Sequence, residues 1–513
     1  MLSQSHLRIF KYTMNNPQVT LQKLAQHEQK TTHAIRKDVA HLNYFLPPEN
    51  QIEITQSEIK ATISYSEYTR FVAQLDFNHY MPTQEERLQV IIVKAYFMEV
   101  LNLSKLYDHW QISMTTKKRD TKALETLLSQ YGLHLRRISG LGIRIEGSIL
   151  QYRVLVSLIL TSCLEVYDFQ LARRSANTPI ENQIYDLLLT HLHDNFNRAE
   201  NKCRHFLLEY NLQANYYSKK FFIVYILLST FPLKETLILE PLLLEPLNLY
   251  LFRESRLENV AFNQVASMID FQPPLAIPHN EALYQLVETL LINLCKQLDV
   301  SIFTHDDTLQ ELYGFIYRAY FYNYFSYLYD DRLVKTTEKE HHDIYQTMKQ
   351  LITSIENYLN ITFHEEQISS MTLIFAKWMM KNRLLNSSKK KIVIVTNVGF
   401  ERMRYFVEQL HSYINFEHVR TVDINEIELL KEIDHDLILT FSNRISTILE
   451  KNNYQPIKVA FFIENQDILK LLEQGCSIAS HRLIAQDLVA ELAPMNQDDQ
   501  LQYLKCVYEE IFI

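Results

Sequence analysis

Residues 7–46 recur, without a gap and in weaker form, at a constant offset of 82, and this register constrains the fold more than any other feature of the chain. Leu21, Lys23, Leu24, His27, Thr31, Lys37, Asp38 and Leu42 fall on Leu103, Lys105, Leu106, His109, Ser113, Arg119, Asp120 and Leu124. Both copies read as a short helix, a polar turn opening on a hydroxyl N-cap, and a longer helix with basic residues outside and aliphatic ones inside. That pattern is a helix-turn-helix, and its presence twice predicts two small modules, 1–65 and 66–148, that grip double-stranded DNA.

In the first copy Thr31 caps a helix whose Ile35, Val39, Leu42 and Phe45 recur at three- and four-residue spacing and face inward. His33, Arg36 and Lys37 point away from that stripe, where a recognition helix meets the major groove. In the second copy Ser113 is the cap, and Thr115, Lys118, Arg119 and Lys122 form a more basic outward set. Lys117 replaces the inward Ile35, which requires its stem to pack and its ammonium to reach water. The following LHLRRISGLGIRIEG alternates apolar and polar residues around Ser139, Gly140 and Gly142, so it reads as a β-hairpin. Such a hairpin is a wing from which Arg136, Arg137 and Arg144 reach phosphates. The first copy has a poorer wing, QIEITQSEIKATIS, with Lys60 as its one phosphate-binding residue, so the second copy is expected to carry more of the affinity.

The net charge of −9 divides along the chain. Residues 1–147 hold 18 Lys and Arg against 14 Asp and Glu, leaving 33 against 46 for the rest. A basic end on an acidic body suits a protein that touches phosphate at one end and proteins, or a second copy of itself, at the other. At 513 residues the chain exceeds one core, and the usual domain size gives roughly three to five units. Of 7 glycines, Gly132, Gly140, Gly142 and Gly147 lie in one stretch, so the remainder is mostly helix. The cysteines, Cys163, Cys203, Cys295, Cys476 and Cys506, are odd in number and far apart, which fits a reduced compartment. No apolar run is long enough for a membrane span and the amino terminus lacks a signal-peptide pattern, so the expected location is cytoplasmic.

From about 150 to 385 the sequence predicts long amphipathic helices without strand-like alternation, dividing near Pro273, Pro274 and Pro278 into two five-helix bundles, 149–272 and 273–386. His191 stands seven residues before Arg198, which on one continuous helix places both on one face. After Ser387 and Ser388, KIVIV, FEHVRTV, DLILTF and IKVAFFI alternate with a helix over 401–413 and the helical INEIELLKEI, which predicts a small parallel sheet over 387–513. The fold class is thus mainly α with a small α/β end. His341 and His342, and His364 beside Glu365 and Glu366, lack metal-ligand spacing and are read as solvated helix termini; neither a metal nor a cofactor is expected.

Paired amino-terminal winged helix-turn-helices, two helical modules and a small α/β end resemble, over nearly the whole chain, the Mga and AtxA group of virulence regulators of Gram-positive bacteria. The helical modules resemble the sugar-phosphotransferase regulation domains of that group, and the last unit resembles enzyme IIB phosphocarrier domains. The resemblance implies a global transcriptional regulator, an activator rather than an enzyme, that is a homodimer through its carboxyl-terminal part. It also implies a phosphocarrier protein of the phosphotransferase system as a partner, with His191 as the phosphate acceptor; a phosphoryl group adds nearly two negative charges and can repack a helical interface. Two positions depart from the pattern: Ile374 stands where the second module would carry an acceptor His, and Thr396 where the IIB loop would carry a nucleophilic Cys. A threonine hydroxyl needs an activating base that the sequence does not supply. The alternatives are a phosphocarrier or phosphotransferase, argued from the α/β end and His191, and an RNA-binding antiterminator, which would begin with a β-rich domain.

Overall fold

A computed structural model describes residues 1–55, 57–232, 237–298, 305–327, 333–381 and 390–478. Cys506 and the Ser387–Ser388 stretch lie outside the described residues. The chain is mainly helical, with a small sheet toward its carboxyl end. It forms two compact units, one of Met1–Tyr284 with 314–330 and 355–363, the other of Gln285–Tyr313, 331–354 and the described residues from His364 on.

The first unit opens with α1 (Gln4–Asn15), β1 (Gln18–Thr20), α2 (Leu21–His27) and α3 (Thr32–Asn43), then β2 (Glu53–Ile54), β3 (Glu58–Lys60) and α4 (Tyr65–Ala73). Thr20 caps α2 by accepting from the Lys23 amide and Thr31 caps α3 by accepting from the Ala34 amide, each at 3.2 Å. Ile35, Val39 and Leu42 are buried, as their spacing requires. β1 pairs antiparallel with β3, Val19 opposite Ile59, and β2 pairs with the other edge of β3. The second round follows as α5 (Gln84–Phe97), α6 (Leu103–His109), α7 (Met114–Gln130), β4 (Leu133–Ile138) and β5 (Gly142–Gly147). Here Leu101, 82 residues after Val19, bridges antiparallel to Ile143 of β5, so the same three-stranded arrangement recurs in shorter form. Gly142 is required for it, because a Cβ there would lie 2.2 Å from the Leu101 carbonyl oxygen.

Five α-helices, α8 (Ile149–Cys163), α9 (Pro179–Leu192), α10 (Phe196–Glu209), α11 (Tyr216–Ser229) and α12 (Arg256–Ala266), make up the next stretch. α8 and α11 are apolar on nearly every side and run through the core. Contrary to the expectation of helix alone, β6 (Leu164–Tyr167) and β7 (Gln170–Arg173) form an antiparallel hairpin, and β8 (Gln213–Ala214) pairs with β9 (Phe271–Gln272). The turn of the first hairpin has φ of 44° at Asp168 and 65° at Phe169, a left-handed pair made without glycine. Phe169 is held there by cations, with Arg204 5.2 Å and Lys219 5.1 Å from its ring centre. A segment lies along α12, whose Asn263 and Asn259, with the C-cap Ser267, accept from the amides of Leu249, Leu251 and Leu247 at 3.0, 2.9 and 2.8 Å. Four-residue spacing lines these acceptors along one helix face and satisfies buried backbone donors that have no sheet partner.

Between residues 280 and 382 the described residues form α13 (Glu281–Gln297), α14 (His305–Tyr324), α15 (Val334–Glu340), α16 (His342–Leu351), α17 (Thr353–Leu359) and α18 (Glu365–Lys381), six where five were expected. The added break falls at His341, whose φ of −126° and ψ of 43° leave the helical region. In the second unit β10 (Lys390–Thr396) is central, with β11 (Ile414–Asp423) and β12 (Leu437–Thr440) parallel to it on either side and β13 (Pro456–Lys458) parallel beyond β12. β14 (Ser477–Ile478) adds an antiparallel edge to β11. Ile392 and Ile394 face a core shared with α19 (Phe400–His411) and α21 (Asn465–Glu473); Val393 and Val395 face one shared with α20 (Asn443–Lys451). The segment expected as the helix INEIELLKEI is a 3-10 run over Ile424–Lys431, interrupted at Glu426, where φ is −113° and ψ 24°.

Candidate nucleic-acid interface

Each amino-terminal module places its outward set on the helix after a sharp turn. In the first, Thr31, His33 and Lys37 are exposed, and the Thr31 hydroxyl is engaged in its cap. Arg36 is half-buried, and its Nη2 donates to the carbonyl of Thr55, 3.2 Å away in the turn between β2 and β3. In the second, Thr115, Lys118, Arg119 and Lys122 are all exposed on α7. Lys118 is the counterpart of Arg36, so the cation tied to its own hairpin in one module lies on the open surface in the other. Lys117 is half-buried and donates to the Ser104 hydroxyl at 2.6 Å, so its ammonium finds a protein acceptor.

What holds α7 in place is Asp120. Its carboxylate is fully buried and accepts from Arg87 Nε at 2.7 Å and Nη2 at 3.1 Å, from Gln84 at 2.7 Å and from the Tyr107 hydroxyl at 2.7 Å. One side chain of α7 is thereby joined to both α5 and α6. Burial alone would raise its pKa, but these hydrogen bonds outweigh the burial and hold the carboxyl below its ordinary value. In the first module Asp38 does the same work with less burial: Lys30 Nζ donates to it at 2.6 Å and to Ser5 of α1 at 2.6 Å. The repeated aspartate was visible in the register. Arg87 and Gln84, which satisfy it, are distant in sequence and carry no local signal.

The hairpin β4–β5 separates the three arginines expected to act together. Arg136 lies opposite Arg144 and so shares its face, whereas Arg137 lies opposite Ile143 on the other. Each has a carboxylate: Arg136 with Glu146 at 3.1 Å, Arg137 with Glu125 of α7 at 2.9 Å, and Arg144 with Glu99 at 3.0 Å.

His191 and Arg198 do not share a helix. Leu192 leaves the helical region at φ −136°, a 3-10 turn over His193–Asn195 follows, and Arg198 lies on α10. Asp194 and Asn195 have short polar side chains that compete with the helical backbone and favour such a break. His191 is exposed, stacked on Phe97 at 4.7 Å between ring centres and 6° between planes; burial lowers its pKa. Thr396, at the end of β10, is buried, and its hydroxyl accepts from the Val398 amide at 3.1 Å. His341 is no solvated terminus either, since it is half-buried and hydrogen-bonded to the Tyr405 hydroxyl.

Among the described residues no cluster of three or more His, Cys, Asp or Glu is placed to hold a metal ion, and no helix is long and apolar enough to cross a membrane. No family model matches the chain, and no curated protein matches it.

Proposed function

We propose that the chain is a transcriptional regulator of the Mga and AtxA type that binds double-stranded DNA through winged helix-turn-helices at 1–65 and 66–148. The observation that carries this reading is that turn and helix repeat at one offset and the strand pairing recurs with them: Val19 pairs with Ile59 and, 82 and 84 residues further on, Leu101 pairs with Ile143, and α3 and α7 present cations beside these strands. A helix braced against two others with its basic side in solvent is the shape that enters a major groove. The regulator is a cytoplasmic homodimer and an activator, with phosphotransferase-regulation bundles over 149–272 and 273–386, His191 open to a phosphocarrier protein, and an enzyme IIB-like end. The buried, hydrogen-bonded Thr396 weighs against phosphoryl transfer by that end.

Titrating the full chain into labelled genomic duplexes at two salt concentrations tests the reading. Binding that weakens with salt, and weakens further on Lys118→Ala with Arg119→Ala, supports it; binding indifferent to both substitutions removes the second module from the interface.

A further inference from the structure

We propose that the three arginines of the β4–β5 hairpin are kept from DNA by glutamates of their own module, and that seating on a duplex exchanges each carboxylate for a phosphate. This rests on the DNA-binding reading above. Arg136 and Arg144 stand opposite one another across the hairpin, a like-charged pair that is destabilising unless compensated, and Glu146 and Glu99 provide the compensation. Arg144 is held twice, since its Nε also donates to the Glu99 carbonyl at 3.1 Å. Arg137 crosses to α7 and covers Glu125.

Glu125 is the telling member. It follows Lys118 by seven residues and Lys122 by three, so the three share one side of α7, and all are exposed. A carboxylate therefore ends a cationic stripe aimed at phosphate, and an arginine from the hairpin neutralises it. Lys118, Arg119 and Lys122, by contrast, make no ion pair among the described residues. Two of the pairs are wide open to exchange, with the side chains of Arg136 and Arg137 64% and 71% exposed, and that of Arg144 is partly open at 32%; ion pairs reached by water hold weakly. A guanidinium fork fits phosphate at least as well as carboxylate, and a duplex offers many phosphates. The arrangement restrains indiscriminate binding to polyanions, because each arginine gained at the DNA uncovers a glutamate that the DNA repels.

The test uses the full chain, a labelled random-sequence duplex and fluorescence anisotropy over a range of salt. Glu99→Gln, Glu125→Gln and Glu146→Gln are each expected to tighten binding about two- to fivefold. The slope of log K against log salt should stay at the wild-type value, because the same arginines meet phosphate in either complex. Glu85→Gln makes the same change of charge at an exposed position of α5 without freeing an arginine, and is expected to leave binding as it was. In an Arg137→Gln background, Glu125→Gln should gain less than it does in the wild type, because only the repulsion of the bare carboxylate is left to remove. A wild type that binds duplex and a triple glutamine variant that binds no tighter than Glu85→Gln overturns the exchange alone, as does a gain from Glu125→Gln that is as large with Arg137→Gln as without it. If wild type and variants alike bind no duplex, the DNA-binding reading falls and takes the exchange with it.

Discussion

Gln29 and Gln111, 82 residues apart, adopt the same left-handed backbone conformation, with φ of 53° and 55°. Each ends the shorter helix of its module with the same pair of hydrogen bonds: Gln29 to Gln26 and Lys30 to Ala25 in one, Gln111 to Asp108 and Ile112 to Tyr107 in the other. This is a Schellman stop, at a position where glycine is usual because a Cβ is strained there. Gln29→Gly and Gln111→Gly are therefore expected to stabilise the modules, each by about 0.5–1 kcal/mol after glycine's extra chain entropy is set against the relieved strain. Urea unfolding checks this for Gln111→Gly, with Trp110 as the fluorescent reporter in a Trp378→Phe background; a lowered midpoint would show that the glutamine is not strained.

The two braced aspartates should respond unequally. Asp120→Ala leaves Arg87 buried with no counter-charge and is expected to cost about 3–5 kcal/mol. Asp38→Ala breaks a pair whose side chains are 21% and 30% exposed, and is expected to cost about 1 kcal/mol or less. Thermal unfolding of the two variants side by side decides the matter, and equal losses would refute the difference in burial as its cause.

The segment along α12 makes a third prediction. Asn263→Ala removes the acceptor of the buried Leu249 amide and should cost about 1–3 kcal/mol, the penalty of leaving that donor unsatisfied. Hydrogen exchange provides the readout: the Leu249 amide should lose its protection in the variant, and unchanged protection would mean that another acceptor takes over.

In the second unit, burial lowers the pKa of His341 to about 4, from 6.5 in an unstructured chain. The unfolded state therefore binds the proton first, so stability is full above pH 6.5, declines as pH falls toward 4, and changes no further on this account below that. The loss over this window is about 3 kcal/mol. Trp378 fluorescence in a Trp110→Phe background follows it, and His341→Gln should flatten the dependence between pH 6.5 and 4; an unaltered slope would assign the effect to other groups.

The helices and hairpins of the first 148 residues were legible because hydroxyl caps, inward aliphatic spacing and clustered glycines are local signals. The strands KIVIV and DLILTF of the α/β unit were legible for the same reason, as continuous apolar runs, whereas of IKVAFFI only Ile457 and Lys458 pair as strand. The hairpin at 164–173 escaped because its turn is made by Asp168 and Phe169 rather than glycine, and is held open by Arg204 and Lys219 from outside the hairpin. Gln29 and Gln111 escaped likewise, as left-handed residues with no glycine to announce them. The continuity expected between His191 and Arg198 failed because heptad spacing says where residues would lie on a helix, not whether the helix persists. At the candidate interface, the identity of the outward cations was readable from α3 and α7, but the glutamates that pair with the hairpin arginines were not, since Glu99 and Glu125 belong to neighbouring elements.

Arg36 is fastened to the Thr55 carbonyl while its counterpart Lys118 stands open. For the proposed regulator this gives a single chain a head and a tail along the double helix, one gripping shallowly and one firmly. Such a chain reads its half-site in one direction only, so the proposed homodimer would demand two half-sites in a fixed mutual orientation.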